Sequence, residues 1–295
     1  MSPSSYRQAR AQALAAKIRS RDLVVAPGVF DGISLRVADG MGFDCLYMTG
    51  YGAVASGLGL PDAGLATFSD MVGTVERLCG LASTPLIADA DTGYGGLLNV
   101  RHTVRGYEKA GAAGIQIEDQ EFPKKCGHTP GRRVIPMQDM VRKIQVASDA
   151  RQSSDFLIVA RTDARTSLGL DDALRRAEAY GKAGADILFV ESPESEDEMR
   201  RICSALDLPL MANMVEGGRT PVLPAARLKD IGYSFAIFPG TGFLAMGAAL
   251  QRVYQSLRDT GTTSAAGVPL YDFMEFSKLM GFEDVWAFDK RYAED

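Results

Sequence analysis

Two histidines and four cysteines are all the soft metal-ligand chemistry that these 295 residues hold. Two imidazoles are too few for a histidine-rich metal site. Cys45, Cys79, Cys126 and Cys203 lie far apart with no CxxC pair, so neither a zinc cage nor a dense disulfide framework is expected. Isolated thiols in a chain of this size suit a reducing cytoplasm. Basic clusters are nearly absent and the formal net charge is −5, which argues against nucleic acid or an anionic membrane as partner. No apolar stretch is long enough to span a membrane, and the first 21 residues carry arginines and no apolar signal core. The expectation is a cytoplasmic protein. With 46% hydrophobic and 23% charged residues, it has the composition of a globular chain and the length of one large α/β domain.

The middle of the chain repeats one plan. Gly40–Tyr47, Ala110–Glu118, Ala183–Glu191 and Ile231–Phe238 each pair a glycine suited to a helix C-terminus with a short link and an apolar run. Leu23–Ala26, Leu86–Asp89, Leu157–Arg161 and Leu210–Asn213 bring the strand candidates to eight. Their runs are continuous, which fits strands buried on both faces of a parallel sheet. Helical patterns lie between them: Met71–Leu81 with Ser69 as expected N-cap, a helix from Pro136 to Ala150, and Leu170–Ala183. Eight strand–helix units in about 250 residues predict a (β/α)8 barrel of the TIM type. A doubly wound sheet is the alternative, but no GxGxxG follows the first strand. The N-terminal helix and the segment from Leu270 to Asp295 read as appendages of one domain spanning residues 1–295. Within the latter, Leu270 to Trp286, with Phe273, Phe276 and Phe282, is too apolar to lie exposed.

In such a barrel the active site lies where strands end at their C-terminal side. The polar residues there are Tyr47 and Thr49, Asp89 and Asp91, Glu118, Arg161 and Asp163, Glu191, and Asn213. Asp89 and Asp91, two apart on a strand, point to one face. With Glu118 one strand away and Asp62 on the long loop after the second strand, they make a hard, all-oxygen site suited to Mg²⁺ or Mn²⁺. The alternative is that the two aspartates only cap the loop Thr92–Gly96. Arg161 either pairs with a structural carboxylate or clamps a substrate carboxylate with its fork. The metal reading and the clamp together predict a small dicarboxylate ligand.

The loop Glu121–His128 carries Lys124, Lys125, Cys126, Gly127 and His128. A thiol between cations is biased toward thiolate, which makes Cys126 a candidate acid/base or nucleophile. Cys45, Cys79 and Cys203 fall on strand or helix patterns and read as core.

These residues resemble the isocitrate lyase/phosphoenolpyruvate mutase superfamily. The matching motifs are Asp89-Ala90-Asp91-Thr92-Gly93-Tyr94-Gly95, Ile117-Glu118-Asp119-Gln120 with Lys124-Lys125-Cys126-Gly127-His128, Ala160-Arg161-Thr162-Asp163, Tyr47-Met48-Thr49-Gly50 and Asn213-Met214-Val215-Glu216. The resemblance implies a Mg²⁺-dependent barrel whose last helix is exchanged between paired subunits, a dimer of helix-swapped dimers. It implies Asp89 and Asp91 as metal ligands, helped by Asp62 and Glu118. Thr49, Gly50 and Arg161 would hold the 2-oxo acid carboxylate, and Gly127, His128 and Asn213 the other one. Glu191 and Pro239 complete the expected substrate-binding set. The implied chemistry is carbon–carbon cleavage of a 2-hydroxy dicarboxylate. Tyr47 or Glu118 would take the hydroxyl proton, Cys126 would protonate the carbanion, and His128 would stand beside it.

Within the superfamily, Cys126 speaks against phosphoryl chemistry. Pro239, after the eighth strand, resembles the lyases rather than the oxaloacetate-hydrolysing branch, which carries a serine there. Asn213–Gly218 resembles the dimethylmalate lyase and petal-death-protein group. The expectation is therefore cleavage of a short substituted malate to pyruvate and a carboxylate. 2-Methylisocitrate cleavage (to pyruvate and succinate), oxaloacetate hydrolysis and a non-catalytic dicarboxylate-binding barrel are the alternatives.

Overall fold

In the computed structural model of this chain, residues 3–125 and 131–293 are described, with side chains from residue 8 onward. The eight apolar runs form parallel strands: β1 (Val24–Val29), β2 (Leu46–Met48), β3 (Leu86–Asp89), β4 (Gly114–Glu118), β5 (Leu157–Thr162), β6 (Ile187–Val190), β7 (Met211–Asn213) and β8 (Phe235–Phe238). They are hydrogen-bonded in the order β6-β5-β4-β3-β2-β1-β8-β7. The two ends meet where the Leu188 amide donates to the Pro209 carbonyl at 2.9 Å, beside a parallel bridge between Leu188 and Leu210.

Helices surround the ring. α1 (Pro3–Arg19) precedes β1, and α2 (Gly32–Asp39) follows it. α3 (Gly50–Leu58) and α4 (Phe68–Leu81) follow β2, α5 (Leu97–Ala110) follows β3 and α6 (Met137–Ala150) follows β4. After β5 come α7 (Ala164–Leu168) and α8 (Leu170–Lys182), then α9 (Glu196–Ala205) after β6 and α10 (Ala225–Ile231) after β7. α11 (Thr241–Thr260), α12 (Phe273–Leu279) and α13 (Phe282–Tyr292) end the chain. This is the (β/α)8 TIM-type barrel that the pattern predicts.

Side-chain alternation along each strand places the site. Residues facing helices, such as Ile158 and Ala160, join the larger apolar core. Those of opposite parity, including Val24, Ile87, Leu157, Val159, Ile187 and Phe235, fill the barrel interior. Leu14, Ala15 and Ile18 of α1 pack into the same interior cluster. α1 is tied across the N-terminal ends of the strands: Arg10 donates to the Ser83 carbonyl, Lys17 pairs with Asp44 and Arg19 pairs with Asp155. The barrel is thereby stoppered at that end. At the other end the interior parity turns polar, as β5 shows by running Leu157, Val159, Arg161.

One cap differs from expectation. Thr67, not Ser69, caps α4, because Thr67 and Asp70 satisfy each other's backbone N–H groups in a reciprocal box that Ser69 has no acid to form. Among the described residues, α11, α12 and α13 bury none, although Tyr254, Leu257, Phe273 and Phe288 are large and apolar and stand exposed. No helix among the described residues is long and apolar enough to cross a membrane.

Candidate active site

The strand C-termini surround a pocket of about 540 Å³, its open mouth included. Its floor is charged, with Asp62, Asp89, Glu118, Lys124, Arg161 and Glu191. Tyr51, Val215, Ile237, Pro239 and Phe243 make one apolar wall. Phe243 holds that wall in place by packing against Tyr51 and Phe30, with ring centroids 5.1 and 6.1 Å away.

Thr49 is the N-cap of α3 and Gly50 its first residue, so the positive end of that helix abuts the floor. A Cβ on Gly50 would lie 2.5 Å from Asp89 Oδ2; only glycine allows the helix end to come this close. Asp89 also accepts from the Asp91 amide at 3.0 Å. Asp91 itself has φ +49°, a left-handed conformation that aspartate tolerates better than most residues. It turns the Asp91 carboxylate toward Lys124, whose Nζ lies 2.7 Å from Asp91 Oδ1 and also pairs with Asp62.

Arg161 is held before any ligand arrives. Its Nε and Nη2 donate to the two oxygens of Asp163 at 2.8 and 2.9 Å, and its guanidinium lies 5.1 Å from the Phe189 ring centroid. Glu118 Oε2 and Glu191 Oε2 stand 3.4 and 3.3 Å from Arg161 nitrogens. The sequence left open whether Arg161 pairs with a structural carboxylate or a substrate; the structural partner is present, and it fixes the fork's orientation. Arg132 binds Asp163 as well and donates to Thr166 at 2.9 Å.

Burial sets the protonation chemistry. Glu118 is 2% exposed, its Oε1 has no hydrogen-bond partner among the described residues, and desolvation raises its carboxyl well above the usual range despite Arg161. Desolvation, outweighing Lys124, pushes Asp91 up to about 6. Asp89 is raised for the same reason. Desolvation disfavours the charged form of Lys124, yet Asp91, Glu118, Asp62 and Asp89 outweigh it and hold the ammonium well above its usual value. Tyr47 donates to Gln116 Oε1 at 2.8 Å; burial, with Asp89 next, raises its phenol well above normal, so at neutral pH it offers an O–H and not a phenolate. Asn213 donates to Glu191 at 2.9 Å, and its Oδ1 has no partner among the described residues. Receiving a carboxylate there requires the amide to present its nitrogen instead.

Behind the wall, Asp119 faces away from the pocket. It accepts from Thr162 Oγ1 and Tyr180 OH at 2.8 Å, the Asp163 amide at 2.9 Å and Arg176 at 3.2 Å.

Of the residues expected from sequence, Tyr47, Thr49, Asp62, Asp89, Glu118, Arg161, Glu191, Asn213 and Pro239 line this pocket, and Gly50 and Asp91 adjoin it. Cys126, Gly127 and His128 lie outside the described residues. The two lysines expected to flank Cys126 differ from each other: the Lys124 side chain is buried against Asp62 and Asp91 while Lys125 stays exposed; their distance to Cys126 lies outside the described residues. Successive residues of an extended segment point to opposite sides, a signal that would have separated the two lysines. Arg132 and Tyr51 escaped notice, and Asp163 was noticed only as a rim residue. Its spacing of two from Arg161 was the available clue.

Among the described residues, no three carboxylate, imidazole or thiol groups converge closely enough to hold a metal ion unaided. The donor set nonetheless fits a hard divalent cation, which keeps several waters and needs few protein oxygens. Asp62 and Asp91 meet at one point, and Glu118 Oε1 is an orphaned acceptor. Among the described residues, the carboxylates of Asp62, Asp89, Asp91, Glu118, Asp163 and Glu191 gather around Lys124, Arg161 and Arg132. A divalent cation would offset the cost of keeping so many buried carboxylates charged together.

The phosphoenolpyruvate phosphomutase family profile matches residues 14–258. A 2,3-dimethylmalate lyase of Eubacterium barkeri is 47% identical over 95% of this chain and 98% of its own. A 2-methylisocitrate lyase of Aeropyrum pernix is 44% identical, over 94% of this chain and 88% of its own. Among solved structures, oxaloacetate acetylhydrolase in complex with 3,3-difluorooxalacetate superposes with a TM-score of 0.91 at 35% identity, covering 97% of this chain and 98% of that one.

Proposed function

The chain belongs to the phosphoenolpyruvate mutase/isocitrate lyase superfamily, and from that premise we propose a Mg²⁺-dependent carbon–carbon lyase that cleaves a 2-hydroxy dicarboxylate of the 2,3-dimethylmalate kind. The observation that carries this reading is the two-sided pocket. A fixed arginine fork and a carboxylate-rich floor suit a 2-oxo acid head. The wall of Val215, Ile237, Pro239 and Phe243 suits methyl groups better than a further carboxylate.

Asp89 and Asp91 would hold the metal, with Asp62 and Glu118 reaching it through water; when bound, it supplies a Lewis acid beside the substrate hydroxyl and carboxylate. Arg161, oriented by Asp163, grips the carboxylate next to the hydroxyl, and the N-terminus of α3 at Thr49 and Gly50 faces the same group. Glu118 is the better-placed proton acceptor: its Oε1 has no hydrogen-bond donor among the described residues, and its raised affinity for protons suits a base. Tyr47 contributes a neutral O–H. As Glu118 takes the hydroxyl proton, the carbinol oxygen becomes the carbonyl of pyruvate. The adjacent carbon–carbon bond breaks, and its electron pair moves onto the second fragment as a carboxylate-stabilised carbanion. Cys126 would protonate that carbon, with His128 and Gly127 beside the distal carboxylate together with Asn213.

The domain is read as one barrel over residues 1–295, with its exposed C-terminal helices covered by a second copy. The buried or half-buried cysteines Cys45, Cys79 and Cys203 suit a cytoplasmic setting.

The test is product release with Mg²⁺ from 2,3-dimethylmalate, 2-methylisocitrate, isocitrate and oxaloacetate, following pyruvate, glyoxylate and oxalate separately. Pyruvate from dimethylmalate, lost with chelator and with Cys126→Ser, is the expected result. Pyruvate only from 2-methylisocitrate would move the substrate, and oxalate from oxaloacetate alone would replace the lyase reading with a hydrolase.

A further inference from the structure

Lys124 and Lys125 are neighbours with opposite fates: the first has a side chain 3% exposed and the second stands at the surface. The Lys124 ammonium bridges Asp62 and Asp91, two of the carboxylates assigned above to the metal. Its place is built into the backbone. A Cβ on Gly64 would lie 3.2 Å from both the Lys124 amide nitrogen and Pro123 Cβ, and Gly64 has φ +71°. A residue with no side chain and a left-handed backbone therefore lets the loop between α3 and α4 lie directly on the segment of Lys124. Asp62 and Lys124 are thus delivered to one point from two loops that rest on each other.

A buried ammonium survives only among carboxylates, and these carboxylates need a cation as much as it needs them. A single point cannot hold both an ammonium and a divalent ion. Both would take the Asp91 carboxylate at contact distance, Asp62 stands in the immediate shell of either, and the two cations repel. We propose that Lys124 is the resident counter-ion of the metal-free site, and that the divalent cation binds by displacing its ammonium from Asp62 and Asp91. The inference rests on the metal reading above and adds a property to it. Apparent metal affinity is lowered by the fraction of molecules in which the lysine is seated, while the metal-free fold is relieved of carboxylate repulsion.

Mg²⁺ titration by calorimetry on the unmodified chain, Lys124→Met and Lys125→Met tests this. Lys124→Met should bind Mg²⁺ about tenfold more tightly, the factor expected when only about a tenth of the molecules are competent. Lys125→Met removes the same charge from an exposed residue at the edge of the same pocket and should bind close to the parent. Equal affinity in parent and Lys124→Met, or an equal gain in both variants, would overturn the inference alone. No Mg²⁺ binding in any of the three would overturn it together with the metal reading. A second measurement needs no variant. Amine acylation read by peptide mass spectrometry should show Lys124 becoming more reactive relative to Lys125 when Mg²⁺ is added, and an unchanged ratio would overturn the displacement.

Discussion

Glu118 and Asp119 are consecutive, both buried, and opposite in every other respect. They sit at the end of β4, where alternation turns Glu118 into the pocket and Asp119 toward the helices. Asp119 receives hydrogen bonds from Thr162, Tyr180, Arg176 and the Asp163 amide. Glu118 has an arginine at 3.4 Å on one oxygen and, among the described residues, no hydrogen-bond partner on the other. Desolvation raises both carboxyls, so burial alone does not distinguish a structural acid from a chemical one. What distinguishes them is completeness: the satisfied carboxylate holds helices to the wall, and the unsatisfied one awaits a ligand.

The sharpest way to break this contrast is to neutralise each side in turn. Glu118→Gln should lower kcat by about 10²–10⁴-fold, the range for losing a positioned proton acceptor. Its melting temperature should hold or rise, because a neutral amide no longer carries the desolvation of a charge. Asp119→Ala should do the reverse. Leaving Arg176 and the Tyr180 and Thr162 hydroxyls without their acceptor should cost about 3–5 kcal/mol in denaturant unfolding, with kcat per folded molecule little changed. If each variant moved both readouts together, the division between the two faces would fail.

A milder perturbation is pH. Asp91 is raised to about 6 in the fold, from an ordinary carboxyl value of 3.8. A raised group binds more protons folded than unfolded between those values, so its contribution to stability is complete below the ordinary value and is lost as pH rises through about 6. The metal-free protein should therefore melt at a higher temperature near pH 5 than near pH 7 in scanning calorimetry. Saturating Mg²⁺ should oppose that trend, because the cation requires the deprotonated carboxylates.

The barrel was legible because its signals are local. An uninterrupted run such as Leu157–Ala160 marks a strand buried on both sides, and glycines such as Gly111 and Gly232 in the left-handed conformation mark where helices stop. The rim acids were legible for a related reason: strand ends in this architecture point at one place. Lys124 was not, since its inward turn depends on Gly64, a residue 60 positions earlier. The bond between Arg132 and Asp163 likewise exists only after β4 and β5 lie side by side. Thr67 displaced Ser69 as a cap through a competition between neighbouring hydroxyls, in which the nearby acid decides. Chemistry at strand ends is readable from sequence, whereas partners drawn from distant loops are not.

The helix α1 closes the far end of the barrel with Leu14, Ala15 and Ile18, and this makes the enzyme a blind alley rather than a tunnel. Substrate and both fragments share one doorway. Whatever the reaction releases must leave by the way the substrate came in, so the fragments and the next substrate compete for a single passage.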